Sequence, residues 1–394
     1  MIAKNRWLLP EGIEDLLPDQ AMQLEQLRRE ILDLYRSWGY ELILPPFIEY
    51  LDSLLTGSGH DLDLQTFKLI DQLSGRLLGL RADMTPQAAR IDAHRMQREA
   101  PSRLCYLGTV LRTRPDGFDG SRSPLQVGVE LFGHAGAESD VEILQLMVAT
   151  LALTGVEDVY LDLGHVGIYR GLAHDAGLDE EQEALLFDAL QRKALPEIDT
   201  FLAGLDLSTA QRERLAGLAT LNGGAEVLEK AQALLQGSGE SAQSSLDDLV
   251  RIARLAARQL PDTSWHFDLA ELRGYQYQTG VVFAAFVADR GQEIARGGRY
   301  DQIGKVFGRA RPATGFSTDL RILMRLGNRT WPQPAGAILA PAEEDADLAD
   351  KVRTLRAQGE RVVQQLPGQA GNFTEAGCDR VLRWSGSEWL VERI

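Results

Sequence analysis

Four stretches of the chain put charged and hydrogen-bonding side chains where solvent-facing strands rarely need them. Arg81-Ala82-Asp83-Met84-Thr85-Pro86 follows a strand-like run. Leu272-Arg273-Gly274-Tyr275-Gln276-Tyr277-Gln278-Thr279-Gly280 joins two others, and Arg296-Gly297-Gly298-Arg299-Tyr300-Asp301 follows a further one. In Pro124 to Gly133, alternation sets Leu125, Val127, Val129 and Leu131 on one face and Gln126, Gly128, Glu130 and Phe132 on the other. An amide and a carboxylate on either side of a glycine favour a ligand-facing floor, because glycine weakens a strand unless something must approach closely. Taken singly, each arginine-rich stretch reads more readily as a structural ion pair than as a site. The six histidines show no metal-ligand spacing, so neither a metal nor another cofactor is expected. Cys105 and Cys378 are the only cysteines, which fits a reducing cytoplasm.

Elements that could position these residues are legible around them. Asp19 can cap a helix with an apolar stripe at Leu24, Leu27, Ile31, Leu34, Tyr35 and Trp38, ending at Gly39. Period-two alternation takes over from Tyr40 to Leu44 and is stopped by Pro45-Pro46. Arg103 to Thr113 and Pro124 to Gly133 are expected to pair as an antiparallel hairpin across the turn-rich Pro115 to Arg122. A helix over 137–153 and a strand over 156–163 follow. Residues 166–260, rich in Ala, Leu, Glu, Gln and Arg, read as a helical insertion of four or five helices with a Gly/Ser-rich linker at 237–245. Strands are expected at 265–272, 281–287 and 293–296, then a turn at Gly297-Gly298 and a helix at 318–326. The layout is α+β: an antiparallel sheet flanked by helices over 1–330, then a linker at 331–336 and a small α/β module to residue 394. In that module, 337–340 reads as a strand and 345–358 as a helix.

Composition narrows the function classes. With 394 residues, 44% hydrophobic and 25% charged, the chain is a globular protein. Its 41 Lys+Arg against 57 Asp+Glu leave a net charge of -16, which repels a phosphate backbone and argues against an RNA or DNA partner. The N-terminal MIAKNRWLLPEGIED lacks a secretory apolar core, and the most apolar stretch, Ile143 to Leu153, is too short to span a bilayer. No membrane association is expected.

In their order and spacing these segments resemble the class II histidyl-tRNA synthetases over about residues 5 to 327. The opening Pro10-Glu11-Gly12-Ile13-Glu14-Asp15-Leu16-Leu17-Pro18 is similar to that family's P-x-G-x-x-D-x-x-P. Gly39 to Ser58 resembles motif 1, which implies a homodimer; Tyr106 to Gly133 resembles motif 2, and Ala313 to Leu323 motif 3. The resemblance implies that Asp83 and Thr85 face the α-amino group of histidine. It also implies that Arg112 or Arg114 matches an arginine that holds the ATP α-phosphate, and that Gln126 and Glu130 lie near the amino acid. In the segment matching R-G-L-D-Y-Y-T-G, Arg273, Gly274, Tyr277, Thr279 and Gly280 agree, while Gln276 and Gln278 replace the aspartate and second tyrosine. Motif 2 lacks its glutamate, and the motif 3 arginine that clamps ATP is Ile322. At about 2.7–4 kcal/mol for each positioned donor, two losses slow adenylate formation by several orders of magnitude.

A synthetase-type domain without an ATP clamp, opening Leu8-Leu9-Pro10-Glu11-Gly12 and carrying Leu80-Arg81-Ala82-Asp83-Met84-Thr85-Pro86-Gln87, resembles the ATP phosphoribosyltransferase regulatory subunits. That resemblance implies a non-catalytic protein of histidine biosynthesis. It would assemble with a short-form catalytic ATP phosphoribosyltransferase as a heteromultimer and make it sensitive to L-histidine. Asp83, Thr85, Gln126, Glu130, Arg273 and Tyr277 are the expected histidine pocket, with Arg112 a secondary contact to the carboxylate; binding elsewhere in the complex is the competing reading. A divergent adenylate-forming enzyme and a free-standing amino-acid-binding module remain the alternatives.

Overall fold

The computed structural model describes residues 7–55, 60–115, 120–272, 274–275, 277–288, 290–331, 335–369, 373 and 377–394. The chain divides into two units, Met1–Arg329 and Thr330–Ile394.

The strands of the first unit are β1 (Glu41–Leu42), β2 (Ile48–Tyr50), β3 (Lys68–Ile70), β4 (Leu77–Leu80), β5 (Ser102–Thr109) and β6 (Leu125–Phe132), followed by β7 (Val159–His165), β8 (Asn222–Gly223), β9 (Ser264–Asp268), β10 (Val281–Val287), β11 (Ala295–Arg299) and β12 (Ala313–Asp319). Nine of them form one sheet in the order β1-β5-β6-β12-β11-β10-β7-β9-β8. From β5 through β7 every pairing is antiparallel, as expected from the hairpin pattern. Toward the edges the sheet is mixed, since β1 runs parallel to β5 and β9 parallel to β7. The register places Glu130 opposite Gly315 and Gln126 opposite Asp319, so β6 and β12 build one floor together.

Helix Pro18–Ser37 buries Leu24, Leu27, Ile31 and Tyr35, and the Tyr35 ring meets Phe316 of β12 edge-on at 6.4 Å. Each such apolar side chain withdrawn from water contributes roughly 1.5–3 kcal/mol. Asp19 does not cap this helix: Pro18 occupies its first turn, Leu17 is the cap residue, and Asp19 lies inside the turn, where a negative charge still suits the helix dipole. Helix Ala137–Leu153 covers the sheet with Ile143, Leu144, Leu146 and Met147.

Several expectations give way to the geometry. Residues 166–260 hold six α-helices among the described residues, and the supposed linker at 237–245 is largely the start of helix Glu240–Gln259, for which Gly239 is the cap residue. Gly297-Gly298 is not a turn but lies inside β11, paired on both sides. The strand β12 is central, yet its Ala-Thr-Gly-Phe-Ser-Thr-Asp sequence is too polar to announce a buried strand. Arg299 fulfils the structural reading of its segment, donating to Asp140 at 2.8 Å while both side chains are buried.

The second unit is a four-stranded sheet of β13 (Ala337–Ala340), β14 (Val362–Gln364), β15 (Cys378–Trp384) and β16 (Trp389–Arg393), ordered β14-β13-β15-β16. Helix Ala346–Ala357 is capped by Asp345, which accepts from the Asp347 and Leu348 amides at 2.7 and 3.0 Å. Its Leu348, Val352 and Leu355 pack on Ile338, Leu382 and Trp389. Residues 332–334 of the expected linker lie outside the described residues.

Candidate functional site

The floor formed by β6 and β12 carries a buried carboxyl. Glu130 is 1% exposed; Tyr106 of β5 donates to its Oε1 at 2.8 Å, and Tyr300, just past β11, donates to its Oε2. Since Tyr106 spends its proton on Glu130, the 3.1 Å contact with Thr85 Oγ1 makes Thr85 the donor. Burial, offset in part by the two phenols and reinforced by the nearby Asp83, pushes the Glu130 carboxyl up to about 8. Gly315 makes this arrangement possible: a Cβ there would stand 1.7 Å from Glu130 Oε2.

From Gln126 the network runs toward the rim. Its amide nitrogen donates to Asp83 Oδ1 at 2.8 Å and to Ser317 Oγ at 3.1 Å, while its oxygen accepts from the Met84 amide at 2.9 Å. Asp83 Oδ1 also accepts from the Thr85 amide at 2.9 Å. The segment after β4 is thereby fixed to β6 by side chains. Gly128, between Gln126 and Glu130, has a different reason from the one its position suggests. Its Cβ would lie 2.6 Å from the Tyr106 hydroxyl, so the close approach is made by a phenol of the protein and not by a ligand.

Above this floor is a cavity of about 390 Å³, within the range usual for small-ligand sites. Asp83, Thr85, Arg112, Glu130 and Tyr277 all line it, so these five expected residues come together. Gln126 is brought to the same network but lines an adjoining pocket of about 340 Å³. Arg273 lies outside the described residues. Sequence reasoning did not single out Tyr106, Tyr300, Ser317 or the wall residues Phe187 and Gln191. The first two sit within quoted stretches, and only the register, which sets Tyr106 opposite Gly128, reveals their task. Gln278 also lines the cavity; its Oε1 is buried without a hydrogen-bond partner.

In the adjoining pocket the electrostatics differ. Ile322 and Asp319 line it, and Asp319 Oδ1 accepts from the Leu125 and Arg321 amides, each at 3.0 Å. Burial raises the Asp319 pKa above the ordinary range, and these backbone donors lower it. Arg321 does not take the place of the missing cation, since its guanidinium lies toward Glu14 at 3.8 Å. Arg112, Arg296 and Ser317 border both spaces. Among the described residues, no group of three or more His, Cys, Asp or Glu could hold a metal ion, and no helix is long and apolar enough to cross a membrane.

Comparison with known proteins agrees with this geometry. Residues 12–323 match the histidyl-tRNA synthetase family model, and residues 335–392 match the ATP phosphoribosyltransferase subunit HisZ C-terminal domain. ATP phosphoribosyltransferase regulatory subunits from Thioalkalivibrio sulfidiphilus and Alkalilimnicola ehrlichii are 60% and 58% identical over 392 residues. Each alignment spans 99% of this chain, with 99% and 98% of the respective relative. Among solved structures, an ATP phosphoribosyltransferase regulatory subunit/histidyl-tRNA synthetase from Bacillus halodurans superposes with a TM-score of 0.83 at 29% identity, over 94% of this chain and 96% of that one. A histidyl-tRNA synthetase from Nostoc shares the fold, with a TM-score of 0.76 at 19% identity over 98% of this chain and 97% of the other. A synthetase-type body joined to that C-terminal domain, with full-length identity to such relatives, makes this chain a member of the ATP phosphoribosyltransferase regulatory subunit family.

Proposed function

We propose that the cavity around Glu130 binds free L-histidine, and that its occupancy is the signal by which this regulatory subunit restrains a short-form catalytic ATP phosphoribosyltransferase in a heteromultimer. The observation that carries the reading is the Glu130 carboxyl, clamped between two phenols at the base of a cavity whose wall holds Asp83 and Thr85. Asp83 and Thr85 suit an α-ammonium group, with Gln126 holding Asp83 in place. Arg112 suits the carboxylate, and Tyr277 closes a wall. Glu130 suits a cationic N–H of the ligand, and the unmet Gln278 oxygen offers one more acceptor. The effector acts only through its different affinity for two states of the assembly.

Adenylate formation is disfavoured by the neighbouring pocket, where Ile322 stands in the place of the motif 3 cation and the buried Asp319 carboxyl lies beside it, although Arg112, Arg290 and Arg296 line the same space. A homodimer through residues 39–58 is supported by the outward apolar side chains Leu44, Ile48 and Tyr50, at 74%, 39% and 38% exposure. The charge of -16 speaks against tRNA, and a cytoplasmic location follows from the biosynthetic role.

The test is reconstitution with a short-form catalytic subunit, assayed with and without histidine. Co-purification, stimulated turnover and inhibition by histidine are expected. Robust ATP–pyrophosphate exchange by this chain alone would sink the reading.

A further inference from the structure

The helical segment 166–260 reaches the cavity. Helix Glu180–Gln191 contributes Phe187 and Gln191 to the lining of the same cavity as Glu130. It meets the ligand-side loop through Tyr275, which also lines the cavity. The Tyr275 ring lies 5.1 Å from that of Phe187 and 5.4 Å from that of Tyr169, and its hydroxyl donates to Glu183. Arg170, on helix Val166–Asp175, closes the arrangement from behind. Its Nη2 donates to the Tyr275 carbonyl at 2.8 Å and to the Gln278 carbonyl at 3.3 Å, and its guanidinium carbon lies 4.7 Å from the Tyr275 ring centroid. One side chain thus sets the height of two loop carbonyls and presses a cation on the ring between them. The related synthetase segment, R-G-L-D-Y-Y-T-G, carries leucine where Tyr275 stands and so lacks the phenol that reaches Glu183.

We propose that Arg170 and Tyr275 are positioning residues for the cavity, through which the helical segment 166–260 registers whether the cavity is occupied. The inference rests on the reading that histidine binds there and adds an output element to it. A ligand that fills the space between Glu130 and Phe187 must fix the loop carrying Tyr275, Tyr277 and Gln278. Because Arg170 and Glu183 hold that same loop, fixing it also orders the first two helices of the segment. The ordering of one element by a ligand bound at another is a coupling between sites, and it is reciprocal.

Amide hydrogen exchange of the full chain, with and without histidine, tests this without a variant. Histidine is expected to slow exchange in β6, β12 and the two helices Val166–Asp175 and Glu180–Gln191. Arg170→Met and Tyr275→Leu should abolish the slowing in the helices while sparing that in β6 and β12. In the complex with the catalytic subunit, both should raise the histidine midpoint for inhibition at least tenfold, and by more than they raise the Kd of the isolated chain. Tyr275→Phe, which keeps the ring, should fall between. Slowing confined to β6 and β12 in the unsubstituted chain would overturn the proposal and leave the histidine cavity standing. Histidine bound tightly with no slowing at either place would overturn the cavity itself and the proposal with it.

Discussion

The two adjoining pockets are built on the same pair of strands, four residues apart, yet they treat a buried acid in opposite ways. Glu130 receives two phenol protons that belong to no backbone ladder, so its carboxyl is a polar face held ready for a ligand. Asp319 is absorbed into the fold: one oxygen caps helix Leu320–Leu326 and ties down Leu125, and the other is buried without a hydrogen-bond partner. A carboxyl bound by side chains can exchange partners when a ligand arrives, whereas one bound by backbone amides cannot leave without unravelling a helix end. On the proposed reading, Glu130 is the acid available to a ligand, whereas Asp319 serves the fold.

Glu130→Ala should test this difference most severely. It removes the acceptor and leaves two buried phenols unmet, so histidine affinity should drop by about a hundredfold or more, as expected for losing a charged hydrogen-bond partner; calorimetric titration measures it. Unchanged affinity would place the effector elsewhere.

Glu130→Gln should next reveal the cost of the ready carboxyl. Its folded pKa, about 8, lies above the unfolded value of about 4.3, so the folded state holds the extra proton between those limits. Stability is therefore full below the lower value and falls as pH rises through the upper one. The whole loss is on the order of 5 kcal/mol. Urea unfolding at pH 6 and pH 9 should show the upper part of this fall, roughly 3 kcal/mol, in the unsubstituted protein and its absence in the Gln variant.

Ile322→Arg probes the other pocket. Restoring one charged donor should tighten ATP binding by about tenfold, in line with a single charge-assisted hydrogen bond, and leave histidine affinity untouched; fluorescence titration with each ligand separates the two effects. The smallest signal is a proton count. A cationic ligand beside Glu130 should drive the carboxyl to ionise, releasing nearly one proton at pH 7. Titrations in buffers of different ionisation heat should detect it, and Glu130→Gln should abolish it.

What the sequence conveyed about the site depended on how local the signal was. Alternation within Pro124 to Gly133 was enough to place Gln126 and Glu130 on one face, because strand periodicity is a property of neighbouring residues. The partners that tune Glu130 come from elsewhere in the sheet, Tyr106 from β5 and Tyr300 from the residue after β11, and become visible only once the strand order is known. Gly128 was noticed for the right reason, a close approach, but the approaching group was invisible without the fold. Likewise Arg296 and Arg299 look alike in sequence. Only the first lines a cavity, and the second is spent on Asp140, a partner 159 positions away. In the C-terminal unit the first strand and its helix could be read from pattern. The Cys378–Trp384 and Trp389–Arg393 pair could not, because arginines and acids break its alternation.

The parallel pairing of β7 with β9 changes what the helical segment between them is. Two neighbouring strands that run the same way cannot be joined by a tight reversal and need a long connection that carries the chain back to its starting end. Residues 166–260 are that return path, and Asn222–Gly223 even adds a rung to the sheet on the way. They cannot be trimmed to a short loop without turning β9 around. Topology thus requires a crossover here, but about a dozen residues would meet that need, so the six helices exceed what the strand order alone demands.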